Sequence, residues 1–198
     1  MAHISIQTSE VVLEGLFEKR SLERGVVITH PHPLYGGDMY SPVVEAIETA
    51  YRKAGFSTLR FNFRGSGNSA GTHDNGIGER DDIAAAVAHL RNEGVENIHL
   101  SGYSFGAWVN AMALQDGLAV NGMTMVAPPV AFIDFADGIR LPCLTKVVAG
   151  SRDEFAPPEL IRSLLANWNM DAEMEIIDGA DHFFFSYLDD VTRLLIVS

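Results

Sequence analysis

Residues 96–114 read ENIHLSGYSFGAWVNAMAL, with a serine between two glycines in Gly102-Tyr103-Ser104-Phe105-Gly106. The run before it, Asn97 to Tyr103, has the length and apolar content of a buried strand, and after it Ala107, Ala111 and Leu114 recur at roughly helical spacing. A strand that passes through G-x-S-x-G directly into a helix forces the serine backbone into a strained turn, and the flanking glycines remove side chains where strand and helix crowd. The hydroxyl then stands at the carboxyl edge of the sheet, near the positive end of the next helix, where a developing anion is stabilised. Ser104 is therefore the candidate nucleophile, against the plainer reading of a helix N-cap. The same pattern occurs at Gly67-Asn68-Ser69-Ala70-Gly71, but it runs on into the polar loop Gly71-Thr72-His73-Asp74-Asn75-Gly76 with no immediate helix. Ser69 reads as a loop residue. Nor is Gly65-Ser66-Gly67 a dinucleotide fingerprint, because its third glycine is misplaced.

Outward from this elbow, six β-branched-rich apolar runs predict strands: Gly25 to His30, Ser57 to Phe63, Ile98 to Tyr103, Gly122 to Val126, Leu144 to Ala149 and Glu173 to Ile177. Helices are expected between them over Pro42 to Lys53, Glu79 to Asn92, Phe105 to Gln115, Pro158 to Asn167 and Phe184 to Ile196. Strands alternating with helices imply an α/β fold, a mostly parallel twisted sheet with right-handed crossovers placing helices on both faces. Ser5 to Phe17 alternates enough for one or two antiparallel edge strands. Ligands in such a sheet bind beyond the carboxyl ends of the strands.

The chain has 198 residues, 47% hydrophobic and 20% charged, which suits one domain over residues 1–198. A formal charge of −12 disfavours nucleic acid and anionic membrane surfaces as partners and points to a small neutral or apolar substrate. The single cysteine, Cys143, has no internal disulfide partner and reads as a buried thiol. The opening MAHISIQTSEVVLEG lacks the basic and apolar segments of a secretory signal, and no apolar run approaches a membrane span, so a cytoplasmic location is expected. Composition leaves the oligomeric state open.

A nucleophilic serine needs a base, and the base an orienting acid. Elbows of this kind carry their triad in the order Ser, acid, His. Six of the seven histidines precede Ser104, leaving His182, in IIDGADHFFF, as the candidate base. For the acid, KVVAGSRDEFAPP places Asp153 just beyond a strand and ahead of a proline-initiated helix; Glu154, Asp134 and Asp181 remain alternatives. An oxyanion hole needs two N–H donors, one usually from the residue after the nucleophile, here Phe105. The other should come from His30-Pro31-His32-Pro33-Leu34-Tyr35-Gly36-Gly37. Proline has no N–H, so His32 is the candidate and Leu34 the fallback.

With these pieces in place the chain resembles the α/β-hydrolase superfamily from Gly25 onward: GYSFG as elbow, GSRDEFAPP as acid loop, GADHFF as histidine loop. FNFRGSGNSAG is similar to that family's R-G-x-G-x-S structural loop, which gives Ser69 a non-catalytic place. HPHPLYGG resembles small bacterial hydrolases related to dienelactone hydrolases. Those carry a cysteine nucleophile, so their substrate does not transfer, and H-P-H-P stands where lipases carry H-G-G-G. The resemblance implies a serine hydrolase of small carboxylic esters or thioesters with no cofactor.

Two other readings stand beside it. One is a metal-dependent hydrolase using His30 and His32, with His73 and Asp74 in support. The other is a non-catalytic binding module on a hydrolase fold. Sixteen residues, Ala127 to Pro142, separate two predicted strands where the superfamily often inserts a cap, too few for a cap domain. Within them VAFIDFADGI is expected to form one short helix supplying Phe132 and Phe135 to a substrate pocket shared with Leu34, Tyr35 and Phe155.

Overall fold

The computed structural model describes residues 1–136 and 138–195. Among them the chain runs β1 (Ala2–Gln7), β2 (Val12–Glu18), β3 (Arg24–Thr29), α1 (Pro42–Lys53), β4 (Ser57–Phe61), α2 (Gly78–Asn92), β5 (Asn97–Tyr103), α3 (Phe105–Gln115), β6 (Gly122–Val126), β7 (Leu144–Gly150), α4 (Pro158–Trp168), β8 (Glu173–Ile177) and α5 (Leu188–Leu194). The strands form one sheet in the order β1-β2-β4-β3-β5-β6-β7-β8. β1 pairs antiparallel with β2, and β2 antiparallel with β4; every later pairing is parallel.

The strand sequences account for this arrangement. Val26, Val27 and Ile28 of β3, with Leu100, Met123, Met125, Val147 and Val148 of the three strands beyond it, are wholly buried. Strands covered on both faces by helices read as continuous apolar runs, and each such side chain contributes roughly 1.5–3 kcal/mol on burial. α1 packs against α5 and β3, while α2 packs against α3 and β3, which places helices on both faces of the sheet. α1 begins with proline in its first turn, carries Glu45 there and Arg52 and Lys53 in its last, and buries Val43, Val44, Ile47, Ala50 and Tyr51 at helical spacing. β3 sits between β4 and β5, so the chain leaves it in one direction and returns on the other side. That reversal opens a crevice at the carboxyl ends of β3 and β5.

The loop carrying the second G-x-S-x-G motif is built into the frame. Ser69 is buried, donating to the Asn62 carbonyl at 2.7 Å and accepting from the Glu14 N–H at 3.0 Å, which ties it to β2. Arg64 in the same loop forms a buried ion pair with Asp82 of α2 at 2.9 Å.

Two expected helices differ. The expected helix over Phe184 to Ile196 is confined to Leu188–Leu194; Phe184 adopts φ 54° and inserts its ring into the core, and Ile196 lies outside the described residues. Residues 127–136 form turns instead of the expected short helix: Phe132 and Ile133 both donate to the Pro129 carbonyl, and then the Asp134 carbonyl is taken by the Trp108 indole at 3.0 Å. One turn without continuation does not offset the cost of helix nucleation. Asp137 of that stretch lies outside the described residues. With β6 ending at Val126 and β7 starting at Leu144, the described residues between them build no separate cap domain. No helix among the described residues is long and apolar enough to cross a membrane.

Candidate active site

Ser104 sits between β5 and α3 with φ 53° and ψ −120°. For a residue with a side chain this region costs about 1–3 kcal/mol, and its neighbours hold it there. The Ser104 N–H donates to the Val126 carbonyl at 2.9 Å, extending the β5–β6 ladder into the elbow, while the Ser104 carbonyl accepts the Ala107 N–H at 2.9 Å. The last glycine of the motif is an approach point: a Cβ on Gly106 would stand 2.7 Å from the Thr29 and His30 carbonyl oxygens. Its absence lets the first turn of α3 press against the exit of β3, bringing the HPHP loop beside Phe105.

A second approach point joins the other two loops. A Cβ on Gly150, the last residue of β7, would collide with the Ala180 carbonyl, and instead the Arg152 N–H donates to that carbonyl at 2.9 Å. The turn after β7 therefore lies against the loop after β8. Asp153 and His182 project from these turns, both buried. The His182 Nδ1 lies 2.8 Å from Asp153 Oδ2 and 3.0 Å from Oδ1, and its Nε2 lies 2.9 Å from Ser104 Oγ. Asp153 Oδ1 also accepts the Phe155 and Ala156 N–H groups at 2.9 and 2.8 Å, which fixes the carboxylate plane. In the tautomer with its proton on Nδ1 facing the carboxylate, His182 turns the Nε2 lone pair toward the serine hydroxyl.

The other acids lie elsewhere. Glu154 and Asp134 are exposed, and Asp181 turns away to accept the Phe183 N–H at 3.0 Å. One positioning contact was missed from sequence: the Tyr103 hydroxyl donates to the His182 carbonyl at 2.8 Å. Burial, then Asp153 and Asp181, push the Tyr103 phenol well above its ordinary value, so it remains a donor. Tyrosine beside the elbow serine was visible, but no local pattern reveals a partner on a loop so distant in the chain.

The His30 ring is committed to the backbone. Its Nδ1 donates to the Pro31 carbonyl at 2.7 Å and its Nε2 accepts the Phe63 N–H at 3.0 Å. Burial pushes its pKa down to about 4. The expectation of His30 and His32 as a metal pair is thus corrected, because His30 has no lone pair to offer, and no metal-binding cluster with His73 and Asp74 exists among the described residues. His32 Nδ1 accepts the Leu34 N–H at 3.2 Å, which occupies the fallback oxyanion donor. The N–H groups of His32 and Phe105 have no protein acceptor among the described residues.

A cavity of about 570 Å³ opens over Ser104. His32, Tyr35, Phe105, Phe132, Phe155 and His182 belong to its wall, together with Tyr103, Val43, Ile133, Phe183 and Phe185. Two expected wall residues do not reach it. Leu34 points to solvent at 71% exposure, and Phe135 is buried against Trp168, ring centroids 4.8 Å apart. Phe183 and Phe185 were legible as flanks of His182. Their orientation follows from the inward turn of Phe184 between them.

Residues 25–190 match the family model described as "Alpha/beta hydrolase domain". The chain is similar to an alpha-beta serine hydrolase homologue from Coxiella burnetii, at 34% identity and a TM-score of 0.89, covering 98% of this chain and 95% of that one. It is similar to a Xanthomonas campestris serine hydrolase described as lacking a lid, at 28% identity and a TM-score of 0.89, over 98% and 91% of the two chains. An uncharacterized protein of Rickettsia prowazekii is 32% identical over 93% of this chain and 82% of its own length. The elbow, the sheet order and this matched span together place the chain in the alpha/beta hydrolase family.

Proposed function

We propose that this hydrolase is a serine carboxylesterase of small, uncharged esters or thioesters, working through an acyl-enzyme. The observation that carries the reading is the continuous chain from Ser104 Oγ to His182 Nε2 at 2.9 Å and from His182 Nδ1 to Asp153 Oδ2 at 2.8 Å. In the first step Ser104 Oγ attacks the acyl carbon while His182 Nε2 takes its proton. Asp153 stabilises the resulting imidazolium, and the Phe105 and His32 N–H groups receive the oxyanion. Proton return from Nε2 expels the alcohol or thiol, and water then repeats the sequence on the acyl-enzyme.

The cavity wall supports the substrate class. Its lining is mostly apolar and aromatic and includes no lysine, arginine, aspartate or glutamate among the described residues. A charged acyl group would lose its hydration there without gaining a partner. The test is covalent labelling by a fluorophosphonate probe alongside hydrolysis of p-nitrophenyl acetate. Wild type and Ser69→Ala are expected to react, and Ser104→Ala to lose labelling and several orders of magnitude in kcat while keeping its fold. Labelling that survives Ser104→Ala overturns the assignment.

A further inference from the structure

His32 and His73, two of the histidines that suggest a metal site in the sequence, do meet in the fold, as rings in tilted contact, their planes 49° apart. Their centroids are 4.8 Å apart. His32 in turn lies 4.7 Å from the Phe105 ring, and His73 lies 5.5 Å from it. The three rings come from the exits of three neighbouring strands, β3, β4 and β5, and close into a wedge behind the elbow. The His73 ring packs beside Glu79, its Nδ1 2.8 Å from Glu79 Oε1 but out of hydrogen-bond alignment, with both side chains buried. Glu79, in the first turn of α2, also accepts the Asp74 and Gly76 N–H groups at 2.9 and 2.8 Å, so the carboxylate fixes the whole turn that presents His73.

The HPHP loop has need of such support. Pro31 and Pro33 carry no N–H, so the His32 peptide lacks the neighbouring hydrogen bonds that ordinarily pin a loop. Besides the His30 ring on the Pro31 carbonyl, it is held by the His32 carbonyl, which accepts from Tyr35 and Gly37 at 3.1 Å each, and by the His32 side chain, which accepts from Leu34 and packs at a tilt against Phe105. An oxyanion donor must be placed within tenths of an ångström, and a displacement near 1 Å costs roughly 10²-fold in rate. We propose that His73, on a turn fixed by Glu79, is a positioning residue for the oxyanion hole: its ring backs His32 against Phe105 and thereby sets the spacing of the His32 and Phe105 N–H groups. This rests on the esterase reading above. His73 is not among the residues that line the cavity. Its effect is therefore on the transition state, where the oxyanion forms, and not on substrate binding.

The experiment compares wild type, His73→Ala and His73→Phe, normalised by fluorophosphonate titration of active sites, with p-nitrophenyl acetate as substrate and phenylboronic acid as a tetrahedral adduct former. His73→Ala is expected to lose roughly 10–100-fold in kcat at unchanged KM, with a parallel loss of boronate affinity. His73→Phe keeps a flat ring at that place and is expected to retain kcat within roughly 3-fold of wild type, even without the Glu79 contact. A merely structural role would lower thermal stability and leave kcat per titrated site intact. Unchanged kcat in His73→Ala, a change in KM alone, or equal impairment in His73→Phe each overturn the proposal. Should His73→Ala fail to fold, His32→Asn decides: its side-chain oxygen can still accept the Leu34 N–H but presents no ring, so a loss confined to kcat supports the wedge and wild-type kcat overturns it. Wild-type protein that neither labels nor cleaves esters sinks the hydrolase reading and this role with it; an active wild type beside an unimpaired His73→Ala sinks the positioning role alone.

Discussion

Asp153 receives four contacts at close range, two from backbone N–H groups through Oδ1 and two to the His182 Nδ1. An asparagine there would keep the backbone contacts and present an amide N–H or a weaker oxygen to the imidazole, favouring the wrong tautomer. Asp153→Asn is expected to bind substrate normally and to lose roughly 10⁴-fold in kcat, read by steady-state kinetics on p-nitrophenyl acetate. His30 makes a different prediction. Its folded pKa of about 4 lies below the ordinary 6.5, so the unfolded chain binds a proton that the folded chain refuses across that interval. Its contribution is complete above pH 6.5 and is lost as pH falls toward 4, amounting to about 3 kcal/mol over the interval. Urea denaturation at several pH values should show this slope in wild type and its loss in His30→Gln. The meeting of Ser104, Asp153 and His182 was legible because each occupies a strand exit in the required chain order. The Tyr103 hydroxyl contact and the orientation of Phe135 were not, since both depend on which distant loop or helix packs alongside.

At the level of elements, the site is an assembly of strand exits brought together by missing side chains. Gly106 admits the β3 exit to the foot of α3. Restoring a methyl group in Gly106→Ala would push the HPHP loop outward, and the expected result is a loss of roughly 10²-fold in kcat with the Ser104 and His182 contact retained. Slower but stoichiometric fluorophosphonate labelling would register this. The strands were readable in sequence because parallel strands buried on both faces are continuous apolar runs, as in GVVITH and KVVAG. Helix limits were less so. The expected C-terminal helix begins late because Phe184 turns inward at positive φ, a choice made by core packing that helical periodicity does not register. In VAFIDFADGI the apolar spacing suits a helix, yet the Asp134 carbonyl bonds to Trp108 on α3 and the described residues form only one turn. Tertiary contacts overrode local preference in both places.

For the whole molecule, the apolar cavity and the charge of −12 act together. Neutral esters are expected to be cleaved faster than anionic ones of equal size. Across a p-nitrophenyl series, activity should fall as the acyl chain exceeds about eight carbons, with no jump at the micellar threshold, because the wall offers a bowl instead of a long covered trough. A maximum at palmitate would contradict this. The short passage from β6 to β7 has a kinetic meaning as well. Where a lid must swing aside, turnover is throttled by motion through solvent, and thickening the medium slows it. Here the cavity lining includes the exposed Phe132, Phe183 and Phe185, on turns that are already in place, and on the proposed function product is expected to leave by diffusion alone. On the proposed esterase mechanism proton transfer through His182 would then be the slow event: kcat should be indifferent to added sucrose and sensitive to replacing water by deuterium oxide.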